Sequence, residues 1–464
     1  MTATRIEKDS LGALEVPESA WYGVQTARAV ENFPISGRAP DIDFVRAHVR
    51  IKRAAAVANN KAGWLDDQKA GAIIAACDRI LSGEYLDQFV VDRFQAGAGT
   101  SHNMNSNEVI ANLANVALGG QRGSYTPVHP NDHVNMGQST NDTIPTAIRL
   151  AALAKLPRLI AAVEGMAEAY EAIGAAEVDT VKSARTHLQD AVPTTIGREF
   201  MAYGWTLRRC AGRIEDTRGP LTEIGLGGSA AGTGLNTSPG YADQVALELA
   251  GLTGEPITSA ANLAAQMQSM RDIQNLSSAL RDLAIELTRI SNDMRLLASG
   301  PRTGIGEIRL PAVQPGSSIM PGKVNPVMFE MLNMVCYQVL GQDAAISAMS
   351  AAGQLELNVM MPGIGSALFD AMDWISSAIE AATTRNLAGI TVDRDRCEAF
   401  LQTSVGLATL LNTRIGYNEA AEIAKTSEAS GRPVRDIVAE RGLLGAEAFD
   451  RIVLLAARDG RIED

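Results

Sequence analysis

The sequence predicts an all-α protein that contains a bundle of long helices. Two features of composition favour this fold class: only 5% of the 464 residues are aromatic, and Ala and Leu are abundant throughout the chain. Sandwiches and barrels depend on β-branched and aromatic strands, whereas Ala and Leu favour packed helices. The third observation is an apolar stripe of helical period between residues 267 and 297.

This stripe predicts one long helix from Met267 to Leu297. Its apolar residues recur three or four positions apart almost throughout, as they do in bundle and coiled-coil helices. They are Met267, Met270, Ile273, Leu276, Leu280, Leu283, Leu287, Ile290, Met294 and Leu297. Such a helix extends roughly 45 Å, which favours a bundle shared between subunits. A bundle formed within one chain is the alternative.

The pattern along the chain predicts three domains. Residues 1–140 mix short helical stretches with loops rich in Gly, Asn and Pro, as expected of a mixed helical N-terminal domain. Residues 141–394 have the longer helical periodicities and form the predicted central bundle domain. From residue 395 to 464 polarity rises and the helical segments shorten, which indicates a small C-terminal helical domain.

Charge and cysteine content limit the possible partners and compartment. The formal net charge is −12, which argues against nucleic acid or an anionic membrane as a partner but allows a small anionic substrate. The four cysteines are far apart, so we expect reduced thiols and a cytoplasmic location. The N-terminus lacks an apolar signal core, and no segment approaches 18 uncharged apolar residues, so we expect no membrane span.

Four polar segments interrupt the helical pattern, and the first begins at Gly97 as GAGTSHNMNSNE. Thr100 or Ser101 can cap the helix that follows the glycines. Asn103 and Asn107 are four residues apart and should share one face of that helix. A purely structural role, in which the asparagines satisfy buried backbone, is the alternative.

The second segment, HPNDHVNMGQSTND, begins at His129. Residues 139–142 are strong N-cap types and predict a helix start whose free N–H groups and positive dipole end would attract an anion. His129 and His133 are spaced like metal ligands, but Pro130 lies between them and no Cys or third His is nearby. We therefore expect no metal site here.

The third segment, ARTHLQDAVP, carries Thr186 and His187, and the fourth, GSSIMPGKVNP, begins at Gly316. A structural and a catalytic role are equally compatible with His187 alone. The glycines and prolines of the fourth segment forbid a regular helix and predict a loop that carries Ser317 and Lys323.

Together the four segments offer uncharged donors, one lysine, one histidine and at least two helix N-termini. This collection suits a small dianion such as a dicarboxylate, and it would stabilise a carbanion formed next to a carboxylate. A serine could remove the weakly acidic proton only if backbone N–H groups and a nearby cation held its alkoxide. A Gly/Ser loop followed by Lys323 offers both, and its closure would exclude water.

GSSIMPGKVNP closely resembles the signature loop of the aspartase/fumarase superfamily, and the other segments resemble that family's remaining motifs in the same order. The resemblance extends from RIEKDSLGALEVP at Arg5 to IGYNEAAEIAK at Ile415. It implies an all-α, three-domain fold, a homotetramer whose core is a bundle of long helices from four subunits, and active sites shared between subunits.

The resemblance also implies roles for individual residues. Ser317 corresponds to the general base, His187 to a residue at the carboxylate and leaving-group end, and Glu330 to the acid that partners this histidine. The residues expected to bind substrate are Thr100, Ser101, Ser139, Thr140, Asn141, Thr186, Lys323 and Asn325. His129, Asn131 and Asp132 resemble a secondary anion site, and no cofactor or metal is expected.

Several motifs resemble the aspartase branch more than the fumarase branch, among them AWYGVQTARAVENFPISG, GAGTS, STND and KVNPVMFE. This resemblance implies a carbon–nitrogen lyase that reversibly eliminates ammonia from L-aspartate to give fumarate. The alternatives are a class II fumarate hydratase, a lyase for another aspartate-like substrate and a non-catalytic structural homologue. Gly137, Ala184 and Met361 depart from the family pattern, which either packing or a shifted substrate would explain.

Overall fold

The structure is a computed structural model and describes residues 3–462, in which most of the regular structure is α-helix. The strands are short and form four two-stranded sheets in the described residues. The all-α fold class predicted from composition is therefore confirmed.

The α-helices of the described chain are α1 Val24–Asn32, α2 Ile42–Lys61, α3 Asp67–Leu81, α4 Thr100–Ala117, α5 Thr140–Ala176, α6 Ile196–Glu215, α7 Arg218–Leu221, α8 Tyr241–Thr253, α9 Leu263–Gln268, α10 Arg271–Leu297, α11 Val327–Ala351, α12 Met361–Arg385, α13 Arg394–Thr403, α14 Asn412–Ile415, α15 Tyr417–Ser430, α16 Val434–Glu440 and α17 Ala446–Asp459. The strands are β1 Thr4–Asp9, β2 Gly12–Pro17, β3 Val181–Thr186, β4 Gln189–Thr195, β5 Glu223–Ile224, β6 Thr258–Ser259, β7 Ile308–Arg309 and β8 Thr391–Val392. Three of the pairs, β1 with β2, β3 with β4 and β7 with β8, are antiparallel, and β5 with β6 is parallel.

The chain divides into two compact units, each made of three segments. The first unit comprises Met1–Ile160, Arg213–Asp282 and Gln338–Trp374. The second comprises Ala161–Gly212, Leu283–Tyr337 and Ile375–Asp464. The three sequence domains, 1–140, 141–394 and 395–464, follow chain order instead and stay a prediction.

The long helix predicted from Met267 is present but starts later. α9 ends at Gln268, and α10 runs unbroken from Arg271 to Leu297. Ser269 has extended backbone angles and its Oγ accepts a hydrogen bond from the N–H of Arg271 (3.2 Å), so it acts as a cap between the two helices. The apolar stripe continues through this break, which is why spacing alone does not reveal it.

The core of the first unit packs α2, α3 and α4 against one another around residues such as Ile73, Ile80 and Ile110. α4 is unusual because its buried side chains include many polar ones, so each needs a partner. In the second unit, a separate core gathers α15, α16 and α17 around residues such as Ile423, Val438 and Phe449.

Glu108 on α4 shows how a buried charge is satisfied. It is fully buried, and its carboxylate accepts hydrogen bonds from the N–H groups of Gly23 (2.9 Å), Gln25 (2.9 Å) and Thr26 (3.1 Å), and from the Thr26 hydroxyl (2.6 Å). These N–H groups belong to the cap and first turn of α1, which has no capping side chain of its own. Glu108 therefore caps α1 from a distance and fixes it to α4.

No helix in residues 3–462 is long and apolar enough to cross a membrane.

We predict that Glu108→Ala lowers the free energy of unfolding by at least about 3 kcal/mol, because it leaves several buried N–H donors without an acceptor. Glu108→Gln should lose less, since one amide oxygen remains as an acceptor. Hydrogen exchange of residues 23–32 and denaturant titration would measure both. Glu84→Ala, which removes an exposed ion pair with Arg79, is the matched control; equal effects at the two positions would contradict the capping role.

Candidate active site

The loop Gly316–Pro326 lies between β7 and α11 and is closed on itself by two hydrogen bonds. The N–H of Gly316 donates to the carbonyl oxygen of Lys323 (3.1 Å), and the Asn325 Nδ2 donates to the carbonyl oxygen of Gly316 (2.6 Å). A Cβ atom at position 316 would lie 2.1 Å from the Lys323 carbonyl oxygen. Only glycine therefore allows the two ends of this loop to approach so closely.

Ser317 lies within this closed loop. Its Oγ accepts hydrogen bonds from the backbone N–H groups of Ile319 (3.2 Å) and Met320 (3.0 Å). Two fixed amide donors on one oxygen stabilise negative charge there, which is the first of the two requirements for a serine base; the second is a nearby cation. Ser317 is half-buried, whereas the neighbouring Ser318 is exposed and makes no such contact among the described residues.

Lys323 and Asn325 border a cleft of about 450 Å³ in the second unit. Arg295 and Arg309 also line it, and no carboxylate does among the described residues. Asp393 pairs with Arg309 (2.5 Å), whereas Lys323 makes no ion pair within residues 3–462. One N–H of the Asn325 amide is used within the loop, and the second remains available to a carboxylate. The cleft is thus suited to an anion.

Glu330 lies in the first turn of α11 and is half-buried. An acidic residue is favourable there because of the helix dipole. In the described chain no hydrogen bond or ion pair joins Glu330 to His187, so the partnership implied by the resemblance stays a prediction.

Thr186 and His187 lie at the tip of the β3–β4 hairpin, and both are exposed. His187 and Leu188 are its two turn residues, with φ angles of +57° and +59°. A turn with two left-handed residues is normally made by Asn, Asp or Gly. Holding larger side chains there costs on the order of 1–2 kcal/mol per residue, and such strain is a feature of functional sites.

In the first unit, Ser139 begins α5 as predicted. Its Oγ accepts from the N–H of Asn141 (3.2 Å), and the Asp142 carboxylate accepts from the N–H of Ser139 (2.9 Å). This reciprocal arrangement is a capping box. The other Asp142 oxygen accepts from the N–H groups of Gly227 (3.1 Å) and Ser229 (2.8 Å). Burial raises the pKa of Asp142 to about 7, but its three N–H donors indicate the ionised carboxylate.

A hydrogen bond from Asn103 Nδ2 to Thr140 Oγ1 (3.2 Å) brings the first two polar segments together. Because Thr140 accepts this bond, its own hydroxyl proton is free to be donated to a ligand. Asn103 and Asn107 both donate to Asn135 Oδ1 (3.2 Å each), so they share one face as predicted and bond to side chains rather than to backbone.

Lys52 lies beneath these amides and is not indicated by any of the four motifs. Its Nζ contacts the amide oxygens of Asn103 (2.6 Å), Asn135 (3.0 Å) and Gln138 (3.0 Å). Burial lowers the pKa of Lys52 to about 7, yet three acceptor oxygens around one nitrogen call for the charged ammonium. α2 carries several basic residues, and the sequence does not distinguish Lys52 from the others because its partners are distant along the chain.

Thr100 and Ser101 do not cap α4, contrary to the sequence prediction. Both are already helical, and the N–H of His102 instead bonds to the side-chain oxygen of Gln95 (2.7 Å). The amide of Gln95 reaches this end because the chain turns back at the glycines before Thr100. Ser101 instead faces a cleft of about 490 Å³, which His129 and Asn131 also line.

The two histidines of the second segment are occupied by backbone. The Nδ1 of His129 accepts from the N–H groups of Asn131 (3.2 Å) and Asp132 (3.3 Å), and the Nδ1 of His133 accepts from the N–H of His129 (2.8 Å). Burial lowers the pKa of His133. Residues 3–462 contain no group of three or more His, Cys, Asp or Glu side chains placed to hold a metal ion.

The departures from the family pattern have local explanations in packing. Gly137 has a φ of +71°, and a Cβ there would lie 3.3 Å from the ring of Tyr241. Met361 is fully buried at the start of α12 and borders a pocket that Ile148 and Phe369 also line. Ala184 lies where the β3–β4 register shifts. Packing is therefore the favoured explanation for Gly137 and Met361.

The predicted site residues thus form separate groups. Asn103 links Thr140 to the helix that begins with Thr100 and Ser101, and Ser139 caps the adjoining helix by accepting from the N–H of Asn141, all in the first unit. Ser317, Lys323 and Asn325 share one loop of the second unit, while Glu330 and the hairpin pair Thr186 and His187 occupy other elements of that unit.

Two family models match the chain. One, described as "Lyase", matches residues 12–341, and one, described as "Fumarase C C-terminus", matches residues 407–457.

Similar proteins of known name match over nearly the full length. An aspartate ammonia-lyase of Pseudomonas fluorescens is 47% identical, with 97% of this chain and 95% of the relative covered. A class II fumarate hydratase of Thermosynechococcus vestitus is 44% identical, with 98% and 97% covered. A crystal structure titled fumarate lyase:delta crystallin from Brucella melitensis bound to cobalt is 46% identical, covers 98% of this chain and 99% of its own, and superposes with a TM-score of 0.95. The chain therefore belongs to the aspartase/fumarase superfamily of lyases.

Proposed function

We propose that this protein is an aspartate ammonia-lyase, a carbon–nitrogen lyase that converts L-aspartate reversibly to fumarate and ammonia. The observation that carries the mechanism is the pair of backbone N–H groups on Ser317 Oγ, because it provides an oxyanion environment for a serine base. The aspartate ammonia-lyases among the relatives, at 42% to 47% identity, favour L-aspartate as the substrate.

In this mechanism the Ser317 alkoxide takes a proton from Cβ of L-aspartate and becomes a hydroxyl group. The electron pair of the broken C–H bond moves into the adjacent carboxylate and gives an aci-carboxylate. Lys323 and Asn325 stabilise its added negative charge. The pair then returns to form the Cα–Cβ double bond as the Cα–N bond breaks. Ammonia leaves from the protonated amine, a step that needs no separate acid.

Residues outside this loop would supply the remaining substrate contacts. Ser139, Thr140 and Asn141 stand at the N-terminal end of α5, where free N–H groups and the helix dipole favour a carboxylate. Thr100, Ser101 and the hairpin residues Thr186 and His187 complete the proposed binding set. Glu330 is assigned to orient His187 in the assembled enzyme.

We further propose a homotetramer in which active sites are shared between subunits. α11 is apolar around most of its circumference, and Met334 and Tyr337 are 62% and 53% exposed on it. A helix of this kind is normally buried on all sides. A second copy of the chain, packed helix against helix, would cover this surface.

We also infer a cytoplasmic location. Cys77, Cys336 and Cys397 are buried and form no disulfide in the described residues. Burial raises the pKa of Cys336 to about 12, which leaves an unreactive thiol of the kind usual in a reducing compartment.

A class II fumarate hydratase is the second candidate, because one such enzyme is 44% identical and the C-terminal match is to fumarase C. Parallel assays of fumarate absorbance from L-aspartate and from L-malate distinguish the two. We expect fumarate from L-aspartate and none from L-malate. The reverse result would establish a hydratase. If neither compound yields fumarate, the remaining candidates are a lyase for a substituted aspartate and a non-catalytic homologue.

Ser317→Ala should lower kcat by roughly 10²- to 10⁴-fold, the usual contribution of a positioned base. The fold and the oligomeric state should not change, because the two hydrogen bonds that close the loop do not involve the Ser317 hydroxyl group. Ser318→Ala is the matched control, since it removes the adjacent exposed hydroxyl. A Ser317→Ala enzyme with normal kcat would show that another group takes the proton.

Gly316→Ala should lower kcat about 10- to 100-fold, because the new Cβ displaces the backbone that positions Ser317. Gly71→Ala provides a control with the same chemical change, since a Cβ at Gly71 in α3 would meet no atom within 4 Å. That variant should keep its activity and gain slightly in stability. If Gly316→Ala has the same kcat as the wild type, the closed ring is not the reactive form of the loop.

A further inference from the structure

The turn that carries His187 is strained and exposed, so other parts of the structure must hold it in place. The pairing of β3 with β4 is present at the tip, where Arg185 faces Asp190 and Thr186 faces Gln189, but its register shifts between Ser183 and Arg185. The residues that anchor β3 on both sides of this shift are therefore of interest.

Glu307 lies beneath the hairpin in the second unit and is completely buried. Its two carboxylate oxygens contact Lys182 Nζ (2.7 Å) and Arg185 Nη1 (2.8 Å), both on β3. Lys182 also donates to Glu199 (2.8 Å). Both contacts of Glu307 are close ion pairs without hydrogen-bond alignment. One buried carboxylate thus holds two cations of the strand that ends at Thr186.

Glu307 is itself fixed by its backbone. Its N–H donates to the carbonyl oxygen of Leu297 at the end of α10 (3.0 Å), and its carbonyl oxygen accepts from the N–H of Asp393 (2.8 Å). The next residue starts β7, from which the chain continues into the loop that carries Ser317. The same residue therefore lies just before β7, upstream of that loop in the chain.

Arg185 is held from a second side by an aromatic contact. Its guanidinium lies 5.1 Å from the ring centroid of Phe400, and that of Arg396 lies 4.3 Å from the same centroid. Arg396 in turn donates to the carbonyl oxygens of Ile305 (2.9 Å) and Gly304 (2.8 Å). Arg185, the residue directly before Thr186, thus bridges the hairpin to the segment that contains Glu307.

We propose that Arg185 and Glu307 form a positioning pair, which holds the strained turn so that His187 is presented in its reactive orientation. Neither residue is proposed to touch the substrate. The proposal deepens the function proposed above and rests on it, because it assumes that His187 contributes to turnover. It requires that removing Glu307 lower activity through His187 and not through a general loss of stability.

A double-mutant cycle tests this dependence. Glu307→Gln removes the charge with little change of shape and should lower kcat/KM for L-aspartate about 100-fold, as expected when a reacting group is misplaced by about 1 Å. In a His187→Ala background the same substitution should cost less than about twofold, because residues that act as a unit are not additive. Equal losses in both backgrounds would overturn the proposal. A His187→Ala enzyme with full kcat/KM would overturn it as well.

Two further variants distinguish loss of positioning from a general folding defect. Arg185→Lys keeps the positive charge but shortens the reach to Glu307 and removes the planar contact with Phe400, so it should reproduce most of the Glu307→Gln effect. Arg394→Gln breaks an exposed ion pair with Glu177 on nearby elements of the same unit and should leave kcat/KM unchanged. A normal Arg185→Lys enzyme would contradict the positioning role.

Hydrogen exchange in the resting protein separates this proposal from the proposed function. The segment 181–195 should exchange faster in Glu307→Gln and Arg185→Lys than in the wild type, whether or not L-aspartate is the substrate. Unchanged exchange there would overturn the structural half of the proposal. If exchange rises but the wild type turns over neither L-aspartate nor L-malate, the proposed function has failed while the anchoring of the hairpin stands.

Discussion

The hydrogen bond from a backbone N–H group to a negatively charged oxygen is the interaction on which this structure depends most. Glu108 uses it to cap α1, and Asp142 uses it to join the start of α5 to the segment around Gly227. Ser317 has the same arrangement at its hydroxyl oxygen. Backbone donors are fixed by the fold and cost no rearrangement when charge develops. The chain therefore uses one device to satisfy buried carboxylates and, in the proposed mechanism, to stabilise an alkoxide.

This dependence explains which parts of the site were predictable from sequence. The loop at Gly316 and the helix start at Ser139 depend on turn and capping chemistry within about ten residues, which local rules describe well. Thr100 and Ser101 were assigned as caps by the same rules, but Gln95 takes that role because the chain doubles back before α4. A rule based on the residues next to a helix start fails when the capping side chain comes from a residue earlier in the chain, as Gln95 does here.

Contacts between distant segments lie beyond such rules. In the sequence Lys52 is one of several basic residues of α2, and only the folded structure shows that it donates to the side-chain amides of Asn103 and Gln138. The break before α10 was hidden for a different reason, since the apolar spacing continues through Ser269 and Met270. The spacing of apolar residues indicates which side of a helix is buried. It does not indicate where a hydroxyl group, here that of Ser269, ends one helix and caps the next.

The strained turn at His187 and the closed loop at Gly316 both place a functional side chain in a fixed position. Each holds a functional side chain in a conformation that the isolated peptide would rarely adopt, so each depends on contacts supplied elsewhere. For the loop these contacts are hydrogen bonds within the loop itself, and they require glycine at position 316. For the turn they are charges on other elements, above all the buried carboxylate of Glu307. Orientation of His187 is therefore sensitive to substitutions far from it in sequence, whereas orientation of Ser317 is encoded within its own loop.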